Sequence, residues 1–336
     1  MLRRLTLPLL LLTCLAIAAA AAPAAPATAA AAPAPAVPAP AALVPPGNFV
    51  LDAAFEIEVS PNVVYRQASG VDLKADIYRP SPSAGPNPTI ITMHGGGWVE
   101  GTKEDYNLVV LPYLERGFSV VNISYRLGRI APAPAAVEDS RCAVRWVVAN
   151  ATKYGFDPEH LIVMGWSAGG HLALTSGLLP VSAGFDNTCP TDDSVRWGSG
   201  EQAEVKVAAV VNWYGITDVA DLLDGPNAKH YASEWLGSRS DRVELARRVS
   251  PLQYVRGGIP PVLTIHGDAD PYVPYSHAVR LHAALDKAGI VNRLVTVKGG
   301  GHGDFTKPQR RAVYGALFAF LGERGLMPQR PAGPIR

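Results

Sequence analysis

The five residues Gly165-Trp166-Ser167-Ala168-Gly169 constrain this chain more than any other stretch. A short apolar run, Leu161 to Met164, precedes them and reads as a buried strand. A helical pattern starts at Ala168. In that strand–turn–helix setting the glycines leave room for a tight turn. Its serine sits at a strained backbone angle with the hydroxyl above the sheet edge. The helix that follows aims its unpaired N–H groups at the same place. A chain with this Gly and Ser content carries such a motif by chance about one time in six. The rest of the chain must therefore supply a base, an acid and a set of oxyanion donors in a compatible order.

The pattern around the motif repeats strand and helix. Ile57–Tyr65 and Val71–Tyr78 are rich in β-branched and aromatic residues and predict an antiparallel entry hairpin. Pro88–His94, Phe118–Ile123, Val205–Trp213, Pro261–His266 and Asn292–Val297 read as further strands, apolar enough for a parallel sheet covered on both faces. Tyr106–Arg116, Val137–Thr152, Ser276–Ala288 and a stretch around Arg310–Arg324 read as helices. Residues 216–255 break this rhythm with irregular helical pieces and Tyr231, Trp235 and Tyr254. An insertion at the strand C-termini is expected to cap the site. The fold class is thus α/β: a mostly parallel central sheet, helices on both faces and a small cap insertion.

Ahead of this region, residues 1–22 have the pattern of a secretory signal: Arg3 and Arg4, an apolar Leu5–Ile17 core, then alanines suited to cleavage. Residues 23–48 are almost entirely Ala and Pro and predict an extended, linker-like tether. One domain is expected over 49–325, exported to the periplasm or medium, with no stable membrane insertion once the signal is removed. Outside the signal only Cys142 and Cys189 remain, and in an exported chain two cysteines suggest one disulfide. The 336 residues carry a formal net charge of +1. That balance gives no electrostatic reason to expect nucleic acid or an anionic membrane surface as partner.

Three segments at predicted strand ends carry chemistry, where an open α/β sheet places its site. In His94-Gly95-Gly96-Gly97-Trp98 three glycines expose backbone N–H groups, as oxyanion stabilisation requires. In His266-Gly-Asp-Ala-Asp-Pro-Tyr-Val-Pro274, Asp268 and Asp270 compete as the carboxylate that would orient an imidazole. Too few oxygen ligands cluster there for a calcium loop. In Lys298-Gly-Gly-Gly-His302-Gly-Asp-Phe305 a histidine set among glycines can swing toward the serine. His160, His171, His230, His277 and His282 read as structural or solvated.

The order Ser167, Asp270, His302 is that of one triad-bearing fold, the α/β-hydrolases. Over about Val59 to Leu321 the chain resembles HGGG-type carboxylesterases of that fold, close to lipase/feruloyl-esterase-like bacterial esterases. HGGGW, GWSAGG, SPLQYV, HGDADPYVP and GGGHGDF carry the likeness. The resemblance implies Asp270 rather than Asp268 as the acid, and Gly96, Gly97 and Ala168 as oxyanion donors. It makes His94 a loop-fixing residue. It implies a serine ester hydrolase acting without metal or cofactor on short-chain acyl, acetyl or feruloyl esters, free or polysaccharide-linked. Trp98 and Trp166 are candidate substrate-binding residues; Trp213 and Tyr214 read as core or pocket wall. Similar domains occur in prolyl-oligopeptidase-like peptidases, though here an Ala/Pro tether rather than a propeller precedes the hydrolase region. A catalytically inactive binding module is the remaining alternative.

Overall fold

Short strands with apolar residues on both sides must be covered on both faces, and the architecture follows from that requirement. In a computed structural model, eight strands form one sheet: β1 (Ile57–Ala68), β2 (Val71–Pro80), β3 (Asn87–Met93), β4 (Ser119–Ile123), β5 (Phe156–Trp166), β6 (Ala209–Trp213), β7 (Val262–Gly267) and β8 (Asn292–Val297). Their spatial order is β1-β2-β4-β3-β5-β6-β7-β8. β1 pairs antiparallel with β2, and β2 with β4; every later pairing is parallel. The structure describes residues 56–81, 85–190 and 202–329. The expected signal (1–22) and tether (23–48) lie outside them. Among the described residues no helix is long and apolar enough to cross a membrane.

The period of two decides which core each side chain joins. Along β5, Leu161 and Val163 enter one hydrophobic core, while Ile162, Met164 and Trp166 enter the other. The first core is closed by α1 (Ala135–Ala149), α2 (Ala168–Leu178), α5 (Ser276–Lys287) and residues of 216–255. The second is closed by α6 (Lys307–Gly322) and by Val110, Tyr113 and Leu114. Within 216–255 the only turns longer than a 3-10 piece, among the described residues, are α3 (His230–Leu236) and α4 (Arg242–Arg248). Trp235, Leu236, Leu245 and Val249 from this region are buried in the same core as α1 and α2.

Two expected elements differ from the sequence reading. Tyr106–Arg116 is not one helix: a 3-10 turn at Lys103–Tyr106 is followed by a single α-turn at Leu111–Leu114. Pro112 can only open a turn, because it lacks the N–H that a helix interior needs and its ring would meet the carbonyl four residues back. The strand expected from Val205 starts instead at Ala209, where its pairing with Ile162 of β5 begins.

Helix α1 anchors the edge of the sheet through charge. Asp139 is fully buried and pairs with Arg66 of β1 (2.7 Å) and with Arg126 (2.8 Å). Arg141 and Arg145 both hold Asp186, in the loop beyond α2. Between these clusters Cys142 and Cys189 form a disulfide with Cα atoms 5.0 Å apart. The bridge closes a segment of sequence separation 47. On the chain-entropy account a loop of that size is worth about 4 kcal/mol, and measured values run lower. A Cys142→Ser, Cys189→Ser double variant is expected to lose about 2–4 kcal/mol, read as a lower urea midpoint with a steeper slope, because the unfolded chain without the bridge exposes more surface. An unchanged midpoint would assign the anchoring to the ion pairs alone.

Candidate active site

Strand β5 delivers Ser167 to the C-terminal edge of the sheet in a conformation that serine rarely adopts, φ 55° and ψ −119°. Such backbone costs about 1–3 kcal/mol and persists only where its surroundings fix it. Here both peptide groups of the serine are held. Its N–H donates to Trp213 O of β6 (2.9 Å), and its C=O accepts from His171 N in α2 (3.1 Å). The flanking glycines allow the turn. A Cβ on Gly165 would overlap the Gly169 carbonyl, and one on Gly169 would overlap the carbonyl oxygen of Met93 at the end of β3.

The loop after β3 is a second strained segment. Gly96, Gly97 and Trp98 have successive φ values of 110°, 56° and 63°. Val99 N and Glu100 N both donate to Gly96 O at 3.0 Å, curling the loop back on itself. Among the described residues, the N–H groups of Gly96, Gly97 and Ala168 have no protein partner. His94 lies beneath this loop, stacked on Tyr125 with ring centroids 4.2 Å apart, and its Nδ1 donates to Gly95 O (2.7 Å). Burial pushes its pKa down to about 4, against the opposing pull of the Gly95 carbonyl. It is a neutral loop support at neutral pH. Gly95 N–H donates to the hydroxyl of Tyr106 (3.1 Å).

The loops after β7 and β8 bring a carboxylate and an imidazole together. His302 Nδ1 donates to Asp270 Oδ2 at 2.6 Å. The Asp270 side chain is fully buried, and its Oδ1 accepts from Tyr272 N (2.8 Å) and Val273 N (3.0 Å). His266 Nε2 stands 3.2 Å from Asp270 Oδ2 and 3.1 Å from Val273 O. Both partners are acceptors, so Nε2 carries the His266 proton. Burial raises the Asp270 pKa, but hydrogen bonds from His266 and His302, the His302 charge and the Val273 N–H outweigh it. They hold the carboxyl well below the usual range. Asp268 faces elsewhere, accepting from Gly299 N (2.6 Å) and so tying the two loops together. The His302 ring lies 4.4 Å from Tyr214, the residue after the Trp213 that holds Ser167. The last residue of β6 thus braces the serine, and the residue that follows the strand walls the imidazole.

Beside these groups is an aromatic cavity of about 170 Å³, lined by Tyr106, Trp166, Trp213, Tyr214, Phe305 and Tyr314 among others. Trp166, expected at the substrate, forms part of this wall. Trp98, also expected there, does not. It is wholly buried, stacked on Trp235 at 4.2 Å, with its indole N–H committed to His171 Nδ1 (3.1 Å), so it has no free face to offer. Tyr106 and Tyr272, whose rings flank Trp166 (4.8 Å) and His302 (5.3 Å), are site residues that sequence reasoning missed. No spacing signals them, because Tyr106 ends a single 3-10 turn and Tyr272 lies in the loop after β7.

Buried histidines outside the Asp270–His302 pair, His282 among them, couple stability to pH. Burial lowers the pKa of His94, His171 and His277 to about 4 each, the Arg280 charge adding to the effect at His277. Unfolded, each takes up a proton near pH 6.5. Between about pH 6.5 and 4 the unfolded chain therefore binds more protons. Stability from this source is full above about pH 6.5 and falls as the pH drops toward 4. Three such sites give a slope of roughly 3–4 kcal/mol per pH unit near pH 5. Urea midpoints at pH 7, 5.5 and 4.5 should fall steeply in that order. A flat profile would mean that these imidazoles ionise within the folded protein.

Comparison with known proteins places this geometry. A family model described as BD-FAE matches residues 75–285, and a second, described as TAP-like protein, matches residues 241–331. Esterase LipQ of Mycobacterium tuberculosis is 28% identical over 257 residues, covering 74% of this chain and 58% of its own length. The chain thus spans little more than half of that relative. Among solved structures, a Thermogutta terrifontis esterase with propionate bound is 27% identical with a TM-score of 0.65, covering 83% of this chain and 97% of that one. A truncated form of a carbohydrate esterase from gut microbiota is 30% identical with a TM-score of 0.64, covering 80% and 96%. The matched region takes in most of the sheet, the Ser167 turn, the loop after β3 and Asp270, and the chain belongs to the BD-FAE family, with the α/β-hydrolase fold.

Proposed function

We propose that the protein is a serine carboxylesterase that works through an acyl-enzyme on Ser167. One observation carries the reading: a strained serine shares the sheet edge with three backbone N–H groups that have no partner among the described residues and with an imidazole whose Nδ1 is committed to a buried carboxylate. With Nδ1 protonated and held, His302 keeps Nε2 as the basic nitrogen. His302 takes the Ser167 proton as the hydroxyl oxygen attacks the ester carbonyl. The N–H groups of Gly96, Gly97 and Ala168 receive the negative charge that develops on the carbonyl oxygen. Asp270 keeps the ring oriented and stabilises its charged form. The imidazolium then protonates the leaving alcohol, and water repeats the sequence on the acyl-enzyme. Each oxyanion donor is worth about 2.7–4 kcal/mol of barrier.

The substrates in this reading are short-chain acyl, acetyl or feruloyl esters, free or attached to polysaccharide. The small aromatic cavity supports a compact or planar group beside the serine. The propionate in one related esterase and the carbohydrate activity named for another point the same way. The domain limits in this reading are 49–325, with 216–255 as the cap. Export by way of residues 1–22 is supported by the Cys142–Cys189 disulfide, which suits an oxidising compartment.

Turnover of a nitrophenyl-ester series from acetate to decanoate, with methyl ferulate and acetylated xylan, tests the reading. Ser167→Ala is expected to remove nearly all activity, and retention of more than a few per cent overturns the nucleophile. Asp270→Asn is expected to lower kcat by about 10⁴-fold through loss of the correct tautomer. Faster cleavage of a peptide nitroanilide would make the protein a peptidase. A folded protein that neither turns over esters nor labels with a fluorophosphonate would be a binding module.

A further inference from the structure

His171, on the buried side of α2, takes no part in the chemistry proposed above, yet it joins three separate parts of the site. Its backbone N–H donates to Ser167 O (3.1 Å). Its Nδ1 accepts from the indole N–H of Trp98 (3.1 Å), which follows directly on the Gly96–Gly97 donors. Its Nε2 lies 2.7 Å from Val249 O, just past α4 in the 216–255 insertion. The tautomer is fixed by chemistry. An indole nitrogen only donates and a carbonyl only accepts, so Nδ1 is bare and Nε2 carries the proton. The imidazole is wholly buried and neutral, and its edge packs on the Trp98 ring at 4.9 Å.

Trp98 holds a positive φ of 63°, which a residue with a Cβ rarely adopts, directly after two glycines whose backbone is free to move, and it needs such external restraint. Trp98 receives it from both ends. Its carbonyl accepts from Gly128 N (2.8 Å), and its ring is stacked on Trp235 of α3 and met at its indole edge by the His171 imidazole, which stands 5.6 Å from Trp235 as well. Tyr231 of α3 presses on the loop as well: a Cβ added to Gly97 would come within 2.9 Å of the Tyr231 Cβ. We propose that His171 is a positioning residue that locks the oxyanion loop, through Trp98, in register with Ser167 and with the cap insertion. The proposal rests on the hydrolase reading for its kinetic consequence, and on the geometry alone for its structural one.

The two ring nitrogens can be tested separately. His171→Gln can keep a donor toward Val249 O but loses the acceptor for Trp98. His171→Asn keeps an acceptor near the Nδ1 position. Trp98→Phe removes the indole donor and leaves a ring to stack on Trp235. His171→Gln and Trp98→Phe are each expected to lower kcat on nitrophenyl acetate by about 10-fold or more, with KM within about two-fold, because the donors act on charge that exists only in the transition state. Their double variant is expected to be no worse than either single one, since both cut the same link. His171→Asn is expected to recover most of the lost turnover.

Hydrogen–deuterium exchange of the peptide spanning 94–100 gives a readout that needs no activity. Exchange there should quicken in His171→Gln and Trp98→Phe by more than the fall in their global unfolding midpoints accounts for. Losses that add in the double variant, a loss confined to KM or explained by the unfolded fraction, or loop exchange equal to wild type would each overturn the proposal. If the wild-type protein hydrolyses no ester, the hydrolase reading is what fails, and the exchange measurement alone decides the role of His171.

Discussion

The site depends on backbone packed against backbone where β5 turns into α2. Gly165 and Gly169 let the first turn of the helix press against both its own strand and the end of β3, so closely that a methyl group on either would overlap a carbonyl. That approach holds Ser167 in its strained conformation and leaves the Ala168 N–H, at the first position of α2, without a partner among the described residues. Strain of this kind has to be balanced by contacts elsewhere. The hydrogen bonds from Ser167 N to β6 and from His171 N to Ser167 O are where the fold supplies them.

The polar groups of the site follow the same logic of over-determination. A carboxylate with a fully buried side chain is costly to ionise unless several donors face it, and Asp270 meets two backbone N–H groups and two imidazoles. One of those imidazoles, His266, is itself fully buried and leaves its Nδ1 without a partner among the described residues. The sheet accepts one unsatisfied acceptor in order to hold the carboxylate in a single orientation toward His302.

Electrostatic and steric support come from opposite sides of the sheet. The 216–255 insertion, α1 and α2 share one core, and on that side Trp98, His171 and Trp235 pack together beside the loop after β3. Tyr106, Trp166, Trp213 and Tyr214 belong with the other core and form the cavity wall. The two tryptophans marked in the sequence as substrate-facing were therefore divided by the fold: the alternation of β5 sends Trp166 to the cavity side, and the loop after β3 folds Trp98 under the cap.

Read as a sequence, the chain determined its class and its chemistry-bearing segments, because both rest on local rules. Apolar runs of strand length, a period-two core and glycines around a serine are short-range signals, and together they predict a parallel sheet with its chemistry at the strand ends. Local rules did not reach further. The stretch 106–116 carried a helical pattern, yet only Leu111–Leu114, opened by Pro112, is an α-turn, and Tyr106 closes a 3-10 turn that begins at Lys103. Spacing alone left Asp268 and Asp270 level and the family resemblance favoured Asp270; the packing of the β7 and β8 loops is what puts Asp270 against His302 across 32 residues and turns Asp268 to Gly299. The places of Tyr106, Tyr272 and His171 were settled likewise by tertiary structure. Each acts through neighbours far away in the chain, and spacing along a sequence carries no record of which surfaces will meet.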